Sequence, residues 1–323
     1  MLIDKEIKAA KPQNDKIHKL YDQAGLHIIV HTNGGKYWRT IERDAFPHIG
    51  HMAIKKIKPI DILEILQKVE AKGFHSASHR LLFVCSNVFR YAVATQKVDS
   101  DICRDLKGAL TPHKVKHFAA ITDARKIGAL LKILDDYTGT IQVTCALRLS
   151  PLLFVRPSEL RLAEWCQINF DKKTWEYFIV KTQADHIVPL SNQAIAILKE
   201  LHKFSGHGRY VFPSRKSDDK PMGENSVLTA LRRRGISKEE MSAHGFRAMA
   251  RTVLDEELDF PAHLLEHQLA HKVKDANGTS YNRTKHLAKR QEMMQSWSDY
   301  LDGLKIETTT PLCKPIPETN EPI

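Results

Sequence analysis

The chain has 323 residues and a mass of 36.8 kDa, with 42% hydrophobic and 27% charged residues. That suffices to bury cores in two domains or one large one, and excludes a mainly disordered chain or a disulfide miniprotein. Lys and Arg number 49 against 38 Asp and Glu, a net charge of +11 with a pI near 9.3, which favours a polyanion such as nucleic acid.

The excess is uneven. Up to His117 there are 20 basic and 12 acidic residues, a net +8, leaving +3 for the remainder. No apolar stretch approaches the roughly 20 residues that span a bilayer, so no membrane partner is expected. The start, Met1-Leu2-Ile3-Asp4-Lys5-Glu6, carries no apolar signal core. The five cysteines (Cys85, Cys103, Cys145, Cys166 and Cys313) show no CxxC spacing. Reduced thiols in a cytoplasm, without a cysteine zinc site, are the simplest reading.

In chain order, residues 20–31 alternate loosely around Ile28, Ile29 and Val30. Asn33-Gly34-Gly35 then reads as a turn towards Tyr37 and Trp38, giving one β-hairpin. A helical stripe of Ile60, Ile62, Leu63, Ile65, Leu66 and Val69 predicts a helix over 59–72 ended by Gly73. A second is predicted over 76–96 and a short one over 99–110. The linker 111–118 follows, with Pro112 and a His-Lys-Val-Lys-His run.

The larger part begins near Ala119. Thr122 and Asp123 cap a helix to Tyr137; 140–154 supplies the next, and Pro157 fits the first turn of one carrying 158–163. Three β-like runs at 166–170, 174–180 and 186–190 predict a small antiparallel sheet. Helices then resume over 191–204 (capped by Ser191, stopped by Gly206), 224–234, 245–258, 261–271 and 285–304. The end, with Pro311, Pro315, Pro317 and Pro322, reads as a flexible tail. The fold class is mainly α with a small antiparallel sheet (α+β).

Several local patterns have plain explanations. His263-Leu264-Leu265-Glu266-His267 matches a zinc-peptidase pattern, but 17 histidines produce such matches easily, and its leucines describe an amphipathic core helix. Asn277-Gly278-Thr279 is a sequon with no export signal to make it meaningful. Arg232-Arg233-Arg234 suits a phosphate backbone or simply a helix end.

A dispersed set says more. Among the 17 histidines only His244 has an arginine three residues later, in His244-Gly245-Phe246-Arg247. Upstream lies Arg156-Pro157-Ser158-Glu159, and between them Lys181 stands at a strand end beside the 182–185 turn. Downstream come Leu269-Ala270-His271 and Ser280-Tyr281-Asn282-Arg283, with ten positions from His271 to Tyr281. In this order the set resembles the tyrosine recombinase (phage integrase) family, most closely prophage integrases of the satellite-phage type, over about residues 41–304. Arg156 matches the first arginine of that family's Arg-x-x-Glu box and Lys181 its hairpin lysine. His244 and Arg247 match the His-x-x-Arg box, His271 the second His/Trp position, and Tyr281 the nucleophile.

The resemblance implies site-specific cutting and rejoining of double-stranded DNA at attachment sites, for prophage integration or excision. Breaking DNA without losing bond energy needs a covalent intermediate. Tyr281 would attack phosphorus to leave a 3′-phosphotyrosine and a free 5′-hydroxyl. Arg156 and Arg247 would stabilise the non-bridging oxygens as planar forks, with a further hydrogen bond from His271. Lys181 would protonate the leaving oxygen, and His244 would assist proton transfer with Tyr281. Glu159 would support the arginines. No cofactor and no metal is implied. The implied assembly is a homo-tetramer on DNA, with a directionality factor and a DNA-bending protein as further partners.

The implied domains are a remnant of the arm-binding domain (1–40), a helical core-binding domain (41–117), a catalytic domain (118–304) and the tail (305–323). One departure from the family stands at Thr40. The text passes directly from arm-domain residues to the middle of a core-binding domain, as after an internal deletion that removes its first helix. Two alternatives follow: a catalytically impaired, DNA-binding remnant that occupies attachment sites, and a type IB topoisomerase-like enzyme. The intact six-residue set argues against the first, and the His-x-x-Arg box against the second.

Overall fold

The computed structural model describes residues 18–21, 27–30, 40–112, 118–180, 182–271 and 286–307. The chain divides between Lys116 and His117 into two compact units, each with its own apolar core.

In the smaller unit, β1 (His18–Tyr21) pairs antiparallel with β2 (His27–Val30), Leu20 opposite Ile28. The turn expected at Asn33-Gly34-Gly35, with Tyr37 and Trp38 after it, lies outside the described residues. Within the run 20–31 the described strands are two, one ending at Tyr21 and the next starting at His27. A π-helical turn (Ile41–Ala45) leads into α1 (Phe46–Ile49).

Two longer helices follow, α2 (Pro59–Glu70) and α3 (His75–Ala94). Pro59 sits at the start of α2, where its missing N–H costs nothing, and the Asp61 carboxylate accepts the Lys58 N–H at 2.7 Å. Gly73 takes φ +79°, the left-handed conformation that ends this segment. Ile62, Ile65, Leu66 and Val69 pack with Leu81, Leu82, Cys85 and Phe89. Ile60, expected in that stripe, is 53% exposed. The expected helix over 99–110 is a 3₁₀ segment, Arg104–Ala109, and 113–117 of the linker lie outside the described residues.

The larger unit is built around α4 (Ala124–Asp135), α5 (Ile141–Leu153) and the long C-terminal helix α11 (Leu287–Glu307). Asp123 caps α4 by accepting from the Lys126 N–H at 3.0 Å. Trp297 of α11 is fully buried; its indole N–H donates to the Pro151 carbonyl at 2.8 Å and its ring meets Phe154 edge-on. Each such buried aromatic contributes about 1.5–3 kcal/mol by removing apolar surface from water.

A short helix α6 (Pro157–Arg161) precedes a three-stranded antiparallel sheet in the order β3 (Ile168–Asn169), β4 (Thr174–Ile179), β5 (Ala184–Pro189). The first two residues of the run expected as its first strand belong to a 3₁₀ turn, Trp165–Gln167, and only Ile168 and Asn169 pair. Next come α7 (Asn192–Ser205), capped by the Ser191 hydroxyl, and a small hairpin, β6 (Pro213–Ser214) with β7 (Ser217–Pro221). That hairpin has no apolar alternation to betray it. Gly206 does not stop α7 through a left-handed turn; its φ is −65° and its N–H still bonds the His202 carbonyl. Helices α8 (Ser226–Arg233), α9 (Gly245–Glu256) and α10 (Ala262–Gln268) complete the unit. The last helix extends to Glu307, past the expected boundary at 304, and the rest of the expected tail lies outside the described residues.

Candidate active site

Arg247 is the buried centre of the site. It lies in the first turn of α9, three residues after His244, and is only 6% exposed. Its guanidinium donates to the Phe154 carbonyl at 3.0 Å and to the Leu269 carbonyl at 2.7 Å, and stands 3.5 Å from His271 Nε2. Burial first, and the nearby Arg156 charge second, lower its pKa to about 10, which leaves it protonated at neutral pH. With two N–H groups spent on carbonyls, three remain in a fixed fork.

Both carbonyl acceptors sit at special backbone positions. Phe154 ends α5 in the left-handed region, at φ 36° and ψ 35°, although it is neither glycine nor asparagine. Ala270, directly after Leu269, has φ 51°. Here the His271 N–H bonds the Glu266 carbonyl at 3.0 Å and the Ala270 N–H bonds that of His267 at 3.1 Å, the paired closure of a Schellman motif with alanine where glycine is usual. The expected helix over 261–271 therefore ends at Gln268, and His271 is turned back onto Glu266. Left-handed non-glycine residues each cost on the order of 1–2 kcal/mol. The packing of Phe154, 1% exposed, and the arginine bonds hold them in place.

His271 is half-exposed, with Nδ1 2.5 Å from the Glu266 carboxylate, which also accepts from Arg251 Nε at 2.9 Å. Burial is the largest single effect and pulls the Glu266 pKa up, but the His271 and Arg251 hydrogen bonds and charges together outweigh it and lower the pKa from its ordinary value. A carboxylate on Nδ1 leaves Nε2 directed at the Arg247 side. Glu266 was legible only as part of a zinc-like pattern. Among the described residues no group of three His, Cys, Asp or Glu side chains is arranged to hold a metal ion.

Arg156 precedes α6. The Glu159 carboxylate accepts its backbone N–H at 2.9 Å and its side chain at 2.6 Å, both largely buried. Tyr177 of β4 donates its hydroxyl to the same carboxylate at 3.0 Å. Burial, and then the Glu159 charge, raise the Tyr177 pKa well above the ordinary value, so this phenol stays protonated. Beside it, edge-on at 5.7 Å, lies His186 of β5, whose Nε2 is 3.2 Å from the Gln268 carbonyl. Burial, helped by the Arg290 charge, lowers its pKa to about 3, so it is neutral.

Arg290, 2% exposed near the start of α11, donates to the Ile187 carbonyl and the Gln268 side-chain oxygen, both at 2.5 Å. It joins β5, the end of α10 and the start of α11. Sequence reasoning missed this group, because a buried arginine and a buried glutamine look like surface residues in a one-dimensional reading.

His244 forms the N-cap position of α9, and its ring packs against Phe118 with centroids 4.7 Å apart. The structure thus brings together Arg156, Arg247 and His271, and places His244 one turn before Arg247 on α9. Lys181 and Tyr281 lie outside the described residues. Lys181 follows Val180 at the end of the β4 run, and Tyr281 falls between α10 and α11.

The larger unit is a mainly helical domain with a small antiparallel sheet, and its guanidinium groups, Arg156 held by a carboxylate and Arg247 by two carbonyls, are suited to phosphate oxygens. A Phage integrase family model matches residues 120–286, and a Phage integrase central domain model matches residues 26–109. The integrase of Enterobacteria phage P4 is 38% identical over 280 residues, covering 82% of this chain and 64% of that protein. Putative protein IntB of Escherichia coli (strain K12) is 30% identical over 318 residues, covering 90% of this chain and 80% of that protein. A lambda integrase tetramer bound to a Holliday junction superposes with a TM-score of 0.58 at 15% identity, over 77% of this chain and 72% of that one. The chain belongs to the phage integrase (tyrosine recombinase) family. It spans just under two thirds of the length of the phage P4 integrase.

Proposed function

We propose that this chain is a site-specific recombinase that cuts and rejoins double-stranded DNA through a 3′-phosphotyrosine, in prophage integration or excision. The observation that carries the reading is the convergence of Arg156 and Arg247, each held by a partner that leaves N–H groups over, with His271, whose ring the Glu266 carboxylate orients. Such an array meets the extra negative charge that a phosphodiester gains as it becomes five-coordinate, without reorganising at the moment of reaction.

In this mechanism the Tyr281 oxygen attacks phosphorus and the bond to the 5′-oxygen breaks. Lys181 gives the leaving oxygen its proton, and His244 assists removal of the tyrosine proton. Rejoining runs the same steps in reverse, with the 5′-hydroxyl as nucleophile. Glu159 and Glu266 act as positioning groups for Arg156 and His271. The smaller unit, with most of the net positive charge, supplies phosphate contacts to core-type DNA, and the residues ahead of the central-domain match at 26 correspond to part of an arm-binding region. The working assembly is a tetramer on DNA, by likeness to the lambda integrase tetramer on a Holliday junction, with a directionality factor and a DNA-bending protein as accessory partners.

The test is a nicked suicide duplex carrying the attachment sequence from the DNA flanking the gene. The chain should become covalently joined to the strand, and Tyr281→Phe should abolish that adduct while binding the duplex with unchanged affinity. A covalent adduct in Tyr281→Phe removes the nucleophile assignment. Binding without any adduct in the unsubstituted chain favours a DNA-binding remnant instead.

A further inference from the structure

The larger unit opens with a segment that its catalytic reading leaves without a role. Phe118 is 66% exposed, yet its ring lies on His244, centroids 4.7 Å apart with planes inclined at 47°. The next residue is bolted to the same loop. The Ala119 carbonyl accepts the Ser242 N–H at 3.1 Å and the Ser242 hydroxyl at 3.2 Å, and that hydroxyl also accepts the Gly245 N–H at 2.9 Å. The approach is so close that a Cβ on Gly245 would stand 2.3 Å from the Ala119 carbonyl oxygen. Only glycine tolerates that contact. Residues 118–119 are therefore strapped across the turn that presents His244 and, through α9, Arg247.

We propose that Phe118 is a positioning residue for His244, holding the imidazole plane in the orientation its proton transfer requires. The proposal rests on the recombinase reading above. An exposed phenylalanine gains little by burial here. What its ring supplies is an apolar wall tilted against the imidazole, close enough to restrict its rotation about the side-chain bonds. A misoriented general base loses rate without losing substrate, because effective proton transfer needs hydrogen-bond geometry at the reacting oxygen.

The experiment uses the full chain and the same suicide duplex, measuring covalent-complex formation at saturating DNA alongside affinity. Phe118→Ala should slow cleavage on the order of 10-fold with unchanged affinity, and Phe118→Tyr should restore most of the rate. In a His244→Gln background Phe118→Ala should have no further effect, since residues acting as a unit are not additive. As a readout independent of cleavage, the His244 ring carbon–proton resonance should shift in Phe118→Ala and stay near its place in Phe118→Tyr. Unchanged cleavage and an unchanged resonance in Phe118→Ala overturn the proposal. So does a loss confined to affinity, which makes Phe118 a DNA contact. Absence of cleavage in the unsubstituted chain defeats the recombinase reading and this role with it, whereas normal cleavage by Phe118→Ala defeats this role alone.

Discussion

Acid should weaken the larger unit through one residue, His186. It is 8% exposed, packed edge-on against Tyr177, and held neutral by burial, with its folded pKa lowered to about 3. In the unfolded chain an ordinary histidine takes up a proton near pH 6.5. Below that pH the unfolded state binds one proton more than the folded state, so stability from this group falls as pH drops. It is complete above pH 6.5 and lost progressively towards pH 3. One proton of difference is worth about 1.4 kcal/mol per pH unit, hence about 2 kcal/mol between pH 6.5 and pH 5.

Urea unfolding followed by tryptophan fluorescence reports on this unit, because Trp175 and Trp297 are fully buried in it. Measured at pH 7, 6 and 5, the wild-type unfolding free energy should fall. In His186→Gln the amide can still donate to the Gln268 carbonyl, but nothing titrates at this position. The variant should be less stable at pH 7 by about 1–2 kcal/mol through lost packing, yet its pH slope should be shallower by about one proton. Other histidines contribute equally to both proteins and cancel in the difference. Parallel pH dependences for wild type and variant would refute the reasoning, by showing that His186 is not held neutral in the folded state.

Two further outcomes concern the chemistry. Arg247→Lys keeps a charge but cannot reach the Phe154 and Leu269 carbonyls together and still present a fork. Covalent-complex formation should drop on the order of 100-fold or more, and the urea midpoint should report about 1–3 kcal/mol for a buried carbonyl left unpaired; near-normal cleavage would show that charge alone suffices. Lys181→Ala should be rescued selectively by a duplex whose 5′-bridging oxygen is sulfur, because a thiolate leaves without a proton. Equal rates on both duplexes would assign the acid elsewhere.

Much of the architecture was legible in one dimension because it rests on local signals. Asp123 and Ser191 begin helices at the expected places, Pro59 and Pro157 open others, and the β4 and β5 runs carry their β-branched and aromatic residues in strand-length segments. What stayed hidden was set by tertiary contact. β6 and β7 pair through residues as poor in β propensity as Ser217-Asp218-Asp219-Lys220-Pro221. The helix before His271 ends three residues early, at Gln268, closed by a left-handed Ala270 where no glycine signals it. The same limit applied to the site. Spacing pointed to Arg156, His244, Arg247 and His271, but could not show that Glu266 reaches His271, since that contact exists only because the chain folds back there.

The same observations explain why the site tolerates so much unfavourable local structure. Arg156, Arg247 and Arg290 crowd cationic charge into one region, Arg247 and Arg290 both have pKa values lowered to about 10 by burial, and His186 is denied a proton altogether. A fold selected for stability alone would replace such cations with apolar groups. Among the described residues Glu159 and Glu266 offset part of this positive charge, and on the recombinase reading the rest meets a bound phosphodiester. A phosphodiester carries one negative charge and gains another on the way to cleavage. On the recombinase reading, the two left-handed turns at Phe154 and Ala270 and the buried guanidinium groups are therefore one arrangement. Strain and desolvation met during folding hold the donors in place, so that the charge arriving with DNA finds them already oriented.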